Sequence, residues 1–355
     1  MKRNSFILAA VAAFAAVACG PKVSDKTTLE GSFGEGAPES VNIKIQEMDI
    51  DTTVAVTDGK FAVELPANKA IFAVLTADGV RARFIPDGTP LTFSVNEEGA
   101  GEITSKTPAV SVQEKYKAYV DTMIKLEKDA RAKLEALGDA AADSARSEII
   151  NAYDAAVSEC DKKAFEENKD NALGASVFGN LQYDLAPAQV DSMLNLLDQS
   201  LLETKGIARI KKANDDKKTT AEGMMFTDFD IDGVKLSDYV GKGKYVLVDF
   251  WASWCGPCKR EIPNIKKVYD KYVGDDFDVL SVAVWDQPQA SVDTAKAYGV
   301  NWNEIINAQA VPTDLYGIQG IPHIILFGPD GTIVKRDLRG EGIEEEVAKY
   351  VTAKK

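Results

Sequence analysis

Alternating apolar and polar residues dominate the chain from about residue 26 to residue 105. Val41, Ile43 and Ile45 alternate with polar neighbours, and the same alternation returns in Leu91–Val95. A period of two is typical of half-buried strands, and the Asp-Gly pairs between such runs favour tight hairpins. The pattern predicts a small all-β domain of six or seven strands, in which no residue is a convincing catalytic candidate.

The pattern changes to a helical period between about residues 106 and 212. Ile149 and Tyr153 lie four residues apart and fall on one face of a helix, in a segment rich in Ala, Glu, Lys and Leu. We therefore predict a helical segment here. The polar and lysine-rich residues 213–221 that follow are interpreted as a linker.

A third region, residues 222–355, is predicted to be an α/β domain that contains a pair of cysteines. The apolar run Tyr245–Phe250 predicts a buried strand, and it leads into Cys255-Gly256-Pro257-Cys258 and then into a helical pattern. Strand, Cys-x-x-Cys and helix in this order are typical of a thioredoxin-like redox site. At a helix N-terminus, unpaired N–H groups and the helix dipole favour the thiolate form of Cys255. Cys255 is the predicted nucleophile and Cys258 its resolving partner.

Other chemistries of a cysteine pair fit the sequence less well. Structural zinc needs four ligands, and the chain offers besides this pair only Cys19, Cys160 and one histidine, His323. A c-type haem site needs His directly after the second cysteine, where Lys259 stands. We therefore expect no metal and no bound cofactor. Cys160 is interpreted as a small packing residue, with a regulatory thiol as the alternative.

The length and charge of the chain limit the function classes further. A chain of 355 residues is long enough for two or three domains. Its net charge of −14 argues against binding to nucleic acid or to anionic membranes through electrostatic attraction.

The first 18 residues are interpreted as a signal peptide. Lys2 and Arg3 precede an apolar stretch from Phe6 to Ala18 that is too short to span a bilayer. Ala16–Cys19 resembles a bacterial lipobox, which implies lipidation of Cys19 and attachment to the membrane. Ordinary signal-peptidase cleavage is the alternative. In both cases we expect a protein of the cell envelope that faces the periplasm.

Residues 222–355 resemble the thioredoxin-like proteins of the TlpA/ResA type, which are extracytoplasmic thiol-disulfide oxidoreductases. Phe250–Cys258 is close to the active-site motif of that family, and Met225–Phe229 resembles its N-terminal hairpin. A lipoprotein with a β domain and a helical segment ahead of the redox domain resembles members from Bacteroidota. The resemblance implies a central mixed sheet flanked by helices.

The resemblance also implies a substrate-binding surface. Ile321-Pro322 resembles the cis-proline loop that faces the cysteine pair and holds an extended substrate through its backbone. The site then comprises, besides the two cysteines, the substrate-binding residues Trp254, Gly256, Pro257, Ile321 and Pro322. Pro263 matches the proline that kinks the active-site helix. An insertion between Val284 and Gly320, with a helix at 290–298 and Trp302, is expected to shape the substrate face.

Asp249 occupies the position of the buried aspartate of thioredoxins, which accepts the proton of the second cysteine. Burial raises a carboxyl pKa, so the resemblance implies a catalytic role for Asp249. The lysine that often pairs with this aspartate is replaced by Val284. Strand alternation predicts that His323, next to Pro322, points away from the sulfurs.

The predicted function is an extracytoplasmic thiol-disulfide oxidoreductase that reduces protein disulfides and is itself reduced by a membrane thiol carrier. The alternatives are an isomerase or oxidant of the same fold, a peroxiredoxin-like peroxidase, and a binding lipoprotein with an idle redox domain. The peroxidase needs a Pro-x-x-x-Thr-x-x-Cys loop, and no threonine lies between Trp251 and Cys258.

Overall fold

The computed structural model describes residues 23–138 and 142–353, and the chain divides into two compact units between Ala208 and Arg209. The predicted signal peptide and the lipidation site Cys19 lie outside the described residues. No helix in the described part of the chain combines the length and the apolar character needed to cross a membrane.

The N-terminal unit begins with eight strands within its described residues, one or two more than the pattern predicts. They form two four-stranded sheets of order β4-β1-β7-β8 and β3-β2-β5-β6, in which β1 and β7 are parallel and the other pairs are antiparallel. The alternating apolar residues of the sequence, such as Leu29 and Ile43, are fully buried. The strands are β1 (Lys26–Ser32), β2 (Ser40–Ile45), β3 (Ile50–Ala55), β4 (Lys60–Pro66), β5 (Ala73–Ala77), β6 (Val80–Phe84), β7 (Leu91–Val95) and β8 (Gly101–Ser105).

Helices follow, and the last of them runs through the predicted linker. They are α1 (Val112–Leu137), α2 (Asp143–Glu167), α3 (Ala172–Leu181), α4 (Pro187–Leu194), α5 (Gln199–Leu202) and α6 (Lys205–Thr219). Most of the segment 213–221, interpreted as a linker, is therefore helical. Its charges are spaced for helical ion pairs, with Lys211–Asp215 at 3.0 Å and Lys212–Asp216 at 2.6 Å, and such pairs support a helix.

The C-terminal unit is built on a five-stranded mixed sheet of order β13-β12-β11-β14-β15. β11 pairs in parallel with β12 and antiparallel with β14, and a two-stranded hairpin, β9 with β10, precedes the sheet. The elements are β9 (Asp230–Ile231), β10 (Val234–Lys235), β11 (Tyr245–Trp251), α7 (Gly256–Tyr272), β12 (Phe277–Ala283), α8 (Pro288–Ala297), β13 (Asn303–Ile305), α9 (Val311–Leu315), β14 (His323–Phe327), β15 (Ile333–Lys335) and α10 (Glu341–Val347).

Two separate cores cover the two faces of this sheet. α7 and α10 bury Ile265 and Ile343 against one face, and the same core contains both Cys255 and Cys258. The other face packs against the N-terminal hairpin and the chain after α9, which contributes Tyr316. The predicted class, a thioredoxin-like α/β domain preceded by an all-β domain and a helical segment, is confirmed.

The packing of α7 under the cysteine pair gives a stability prediction. Ile265 is fully buried on the inner face of α7, and its neighbour Lys266 lies partly exposed at the surface. Replacing Ile265 by Ala should lower the free energy of unfolding by about 2–5 kcal/mol, because it leaves a cavity. Lys266→Ala, the matched control, should change it by less than about 0.5 kcal/mol. Urea unfolding measures both, and equal effects would contradict the packing.

Candidate active site

Cys255 and Cys258 lie at the junction of β11 and α7 and are joined by a disulfide bond. Cys255 occupies the N-cap position of α7, and its Sγ accepts a hydrogen bond of 3.1 Å from the backbone N–H of Cys258. A capping side chain normally satisfies such an N–H with oxygen. Here the sulfur takes that place, so the helix terminus stabilises negative charge on Cys255 once the pair is reduced. Pro263 lies inside α7, as predicted.

The predicted cis-proline loop faces Cys255, the predicted nucleophile. The Ile321–Pro322 peptide bond is cis, and the carbonyl oxygen of Ile321 lies 3.7 Å from Cys255 Sγ. This carbonyl can accept a hydrogen bond from the backbone of an extended chain that lies across the sulfur. The structure thus brings together the two elements that the sequence placed more than sixty residues apart.

Asp249 lies behind the cysteine pair on β11. Alternation along the strand places Leu247, Asp249 and Trp251 on the face of the sheet that carries both sulfurs. Asp249 is only 1% exposed, and its Oδ1 has no hydrogen-bond partner. Burial raises the pKa of Asp249 to about 7; the positive charge of Arg339 opposes this effect and the negative charge of Glu261 adds to it. A carboxyl with such a pKa can take up or release a proton near neutrality.

The lysine expected beside Asp249 is absent, as the sequence predicts. The residue paired with Asp249 on β12 is Ser281, and Val284 is buried in the core on the opposite face of the sheet. The positive charge that acts on Asp249 instead belongs to Arg339, which follows β15.

Arg339 is a residue that the sequence analysis missed. Its guanidinium donates a hydrogen bond to the carbonyl oxygen of Pro322 and forms an ion pair of 2.8 Å with Asp337. The next residue, Gly340, donates its N–H to Glu261 Oε2 on α7 at 3.0 Å. This turn therefore ties the cis-proline loop to the active-site helix. A charged turn after a strand is usually a solvated surface feature, so only the tertiary structure could show its role.

His323 lies on the other side of the sheet, as strand alternation predicts. The next residue, Ile324, belongs to the core of the cysteine pair, whereas Ile325 belongs to the opposite core. The His323 ring is buried beside Arg336 and Asp337, at 3.3 Å from each. Burial lowers the pKa of His323. It is therefore placed as a structural residue and not as a base for the sulfurs.

Trp254 and Trp302 occupy different environments. Trp254 is 60% exposed beside Cys255 and donates its indole N–H to the carbonyl of Trp285 at 2.9 Å. Trp302 is buried and donates to Ser281 Oγ at 2.8 Å. The Trp302 ring fills the core beside Tyr269, so this residue of the insertion is not part of the surface around the cysteine pair. The predicted helix of the same insertion is present as α8.

Cys160, on α2, is a free and partly buried thiol whose pKa is raised, chiefly by burial. Within the described ranges, no group of three or more His, Cys, Asp or Glu side chains is placed to hold a metal ion.

Comparisons with known proteins identify the C-terminal unit. The AhpC/TSA family matches residues 217–336. The thiol-disulfide oxidoreductase ResA of Bacillus subtilis (strain 168) is 32% identical over 124 residues, which are 34% of this chain and 68% of that protein. ResA of Geobacillus kaustophilus (strain HTA426) is 31% identical over 134 residues, covering 38% of this chain and 75% of that protein.

Among solved structures, the thioredoxin domain of a thiol-disulfide oxidoreductase from Bacteroides vulgatus is 32% identical. The match covers 38% of this chain and 97% of that chain, with a TM-score of 0.33. Because this score is low, the assignment of the fold rests on the strand order and on the sequence relatives.

A disulfide at the start of a helix, opposite a cis-proline on a mixed sheet, is the arrangement of a thioredoxin-fold thiol-disulfide oxidoreductase, and the relatives carry that name. The chain is an enzyme of this class. It belongs to the ResA family of thiol-disulfide oxidoreductases. Each match spans little more than a third of the chain, so the family says nothing about the N-terminal unit.

The raised pKa of Asp249 gives a prediction for stability against pH. The folded protein keeps a proton on Asp249 up to about pH 7, whereas the unfolded chain releases it near pH 4. Stability therefore falls as the pH rises through this window. Asn cannot ionise, so Asp249→Asn should be more stable than the wild type at pH 8, by up to about 4 kcal/mol.

Denaturant unfolding of the oxidised proteins at pH 4, 6 and 8 measures this difference, which should shrink towards zero at the lowest pH. A difference in stability between Asp249→Asn and the wild type that stays the same at all three pH values would show that Asp249 ionises with an ordinary pKa. Asp293→Asn, at an exposed position on α8, is the matched control.

Proposed function

We propose that this enzyme works outside the cytoplasm as a reductase of protein disulfides. The observation that carries the proposal is the position of Cys255, whose sulfur caps α7 and faces the carbonyl of Ile321. An attacking thiolate and an acceptor for an extended polypeptide are thereby side by side. This arrangement suits a disulfide within a protein chain as substrate.

In the proposed reaction the Cys255 thiolate attacks one sulfur of the substrate disulfide. A bond forms between Cys255 and that sulfur, the substrate S–S bond breaks, and the other substrate sulfur leaves as a thiolate. Cys258, deprotonated in turn, attacks Cys255 Sγ and releases the second substrate thiolate. Two electrons pass from the dithiol to the substrate, and the Cys255–Cys258 disulfide remains.

Asp249 is proposed to receive the proton of Cys258 in the second step. It lies on the same face of the sheet as both sulfurs, and its pKa of about 7 lets it act in either protonation state near neutrality. Trp254, Gly256 and Pro257 on one side, and Ile321 and Pro322 on the other, are proposed to contact the substrate.

The direction of electron flow is proposed from the residues between the cysteines. Gly256-Pro257 matches the reducing thioredoxins, whereas strong oxidants of this fold usually carry a histidine there. A thiolate that is less strongly stabilised makes the dithiol a better reductant. We propose that a membrane thiol carrier returns the pair to the reduced state.

The location and the domain organisation are proposed from the sequence. The signal peptide at residues 1–18 and the lipidated Cys19 would hold the protein at the membrane, facing the periplasm. Residues 26–105 would then form a binding or spacing domain, residues 106–212 a helical segment, and residues 222–355 the redox domain. Because α6 continues to Thr219, the junction before the redox domain is helical for most of its length.

The reduction potential of the Cys255–Cys258 pair tests the proposed direction. Equilibration of the full chain with glutathione or dithiothreitol buffers should give a value near roughly −270 mV, as in thioredoxin. A value near roughly −120 mV, as in a strong oxidant of this fold, would overturn the reductase. Cys255→Ser is the control for function, because it should abolish the reduction of insulin by an oxidoreductase. A binding protein with an idle redox domain would keep its binding function when Cys255 is replaced.

A further inference from the structure

The carboxylate of Asp286 is buried beside the loop that carries the cysteine motif. It follows the carboxyl end of β12, next to the end of β11, and is 7% exposed. Oδ2 accepts hydrogen bonds from Ser253 N–H at 2.6 Å and Ser291 Oγ at 2.7 Å. Oδ1 accepts from Ser253 Oγ at 2.9 Å and Gln287 N–H at 2.8 Å. A buried carboxylate with four donors is a fixed structural anchor.

Burial acts to raise the pKa of Asp286, but the hydrogen bonds from Ser253, Ser291 and Gln287 together hold it below the ordinary value. The group is therefore ionised at neutral pH. Two of its four donors belong to Ser253, which lies two residues before the nucleophile Cys255. Half of the hydrogen bonds that this carboxylate accepts therefore come from the active-site loop.

The residue before Asp286 holds the other end of the same loop. Trp285 has a positive φ of 53°, a conformation that costs a side-chain-bearing residue energy and persists only where the surroundings impose it. Its carbonyl accepts the indole N–H of Trp254 at 2.9 Å. Gln309 holds the backbone of Trp285 and Asp286 through two hydrogen bonds. Its backbone carbonyl accepts from the Trp285 N–H, and its side-chain amide donates to the Asp286 carbonyl at 2.7 Å.

Trp254 is therefore tethered at its polar end while its ring remains open to solvent beside Cys255. An exposed ring that moved freely would have to be ordered whenever a polypeptide bound against it. A ring that is already fixed before binding avoids this loss of conformational entropy. A small disulfide, which reaches the sulfur without covering the ring, gains nothing from it.

We propose that Asp286 is a positioning residue that, through Ser253 and the Trp285 carbonyl, holds Trp254 as a rigid platform for the polypeptide flanking a substrate disulfide. The platform makes the enzyme selective for protein disulfides over small disulfides. This inference rests on the proposed function and adds a specificity device to the same site.

Asp286→Asn tests the proposal. The amide nitrogen of Asn would face N–H and O–H groups that now donate hydrogen bonds to a carboxylate oxygen. The active-site loop should therefore be held less firmly, while the cysteine pair stays in place. The full chain should carry Cys19→Ser and Cys160→Ser, so that Cys255 and Cys258 are its only thiols. The rate constant for reduction of insulin should fall about 10-fold, equivalent to about 1.4 kcal/mol. The rate with 5,5′-dithiobis(2-nitrobenzoate) should stay within about twofold, and Asp293→Asn should change neither rate.

A second set of variants separates positioning from general damage to the fold. Trp254→Phe keeps an aromatic ring, although a smaller one, and lacks the N–H that donates to Trp285, so it should show the same selective loss. Trp254→Ala removes the platform, so adding Asp286→Asn to it should cost nothing further with insulin. Additive losses, equal losses with both substrates, or no loss with insulin would each overturn the proposal.

The failure of the reductase proposal is distinguishable from the failure of this one. A reduction potential of the wild type near roughly −120 mV would contradict the proposed direction. The selectivity is then measured in reverse, as oxidation of reduced insulin chains against oxidation of dithiothreitol by the disulfide form. The platform predicts the same selective loss for Asp286→Asn in that direction, and its absence would overturn the platform as well.

Discussion

The active site depends on a single constraint, the placement of Cys255 at the point where β11 ends and α7 begins. A helix start leaves backbone N–H groups without partners, and here the sulfur of Cys255 accepts one of them. The parallel pairing of β11 with β12 and its antiparallel pairing with β14 then decide what surrounds the sulfur. β14 begins directly after the cis-proline, and β12 leads directly to Asp286 and the insertion. Three neighbouring strand ends thus supply the proposed nucleophile, the proposed acceptor for the substrate backbone and the carboxylate that anchors the loop.

The burial of Asp249 lowers the stability of the folded protein and raises the pKa of this carboxyl. Its carboxyl is surrounded by apolar side chains of the core, and nothing donates to its Oδ1. The ionised form is therefore costly in the folded protein, and it is this cost that brings the pKa close to the pH at which a thiol must lose its proton. The positive charge of Arg339 reduces the free-energy cost of ionising Asp249, and its guanidinium donates a hydrogen bond to the carbonyl oxygen of Pro322. One side chain thereby links Asp249, the proposed proton acceptor, to the loop that faces Cys255.

The sequence predicts the parts of this site that depend on local order along the chain. The Cys-x-x-Cys motif follows an apolar strand, and strand alternation places His323 on the face of the sheet opposite to the sulfurs. The proline inside α7 follows from the resemblance to thioredoxins. Arg339, Glu261 and Asp286 could not be found in this way, because their roles arise where distant segments meet. The helix at residues 213–219 and the burial of Trp302 could not be predicted for related reasons. The charged segment forms a helix that is supported by its i, i+4 ion pairs. The indole of Trp302 is buried and donates a hydrogen bond to Ser281.

The pKa of Cys255 tests the central claim most directly. In the Cys258→Ser variant, without Cys19 and Cys160, the rate of alkylation by iodoacetamide between about pH 5 and pH 9 reports the thiolate fraction. The helix terminus should lower the apparent pKa from about 8.5 to about 7, the value of a reducing thioredoxin. A pKa at or above about 8.5 would show that the helix start does not activate the sulfur. A pKa near 3.5, that of a strong oxidant, would contradict the reductase.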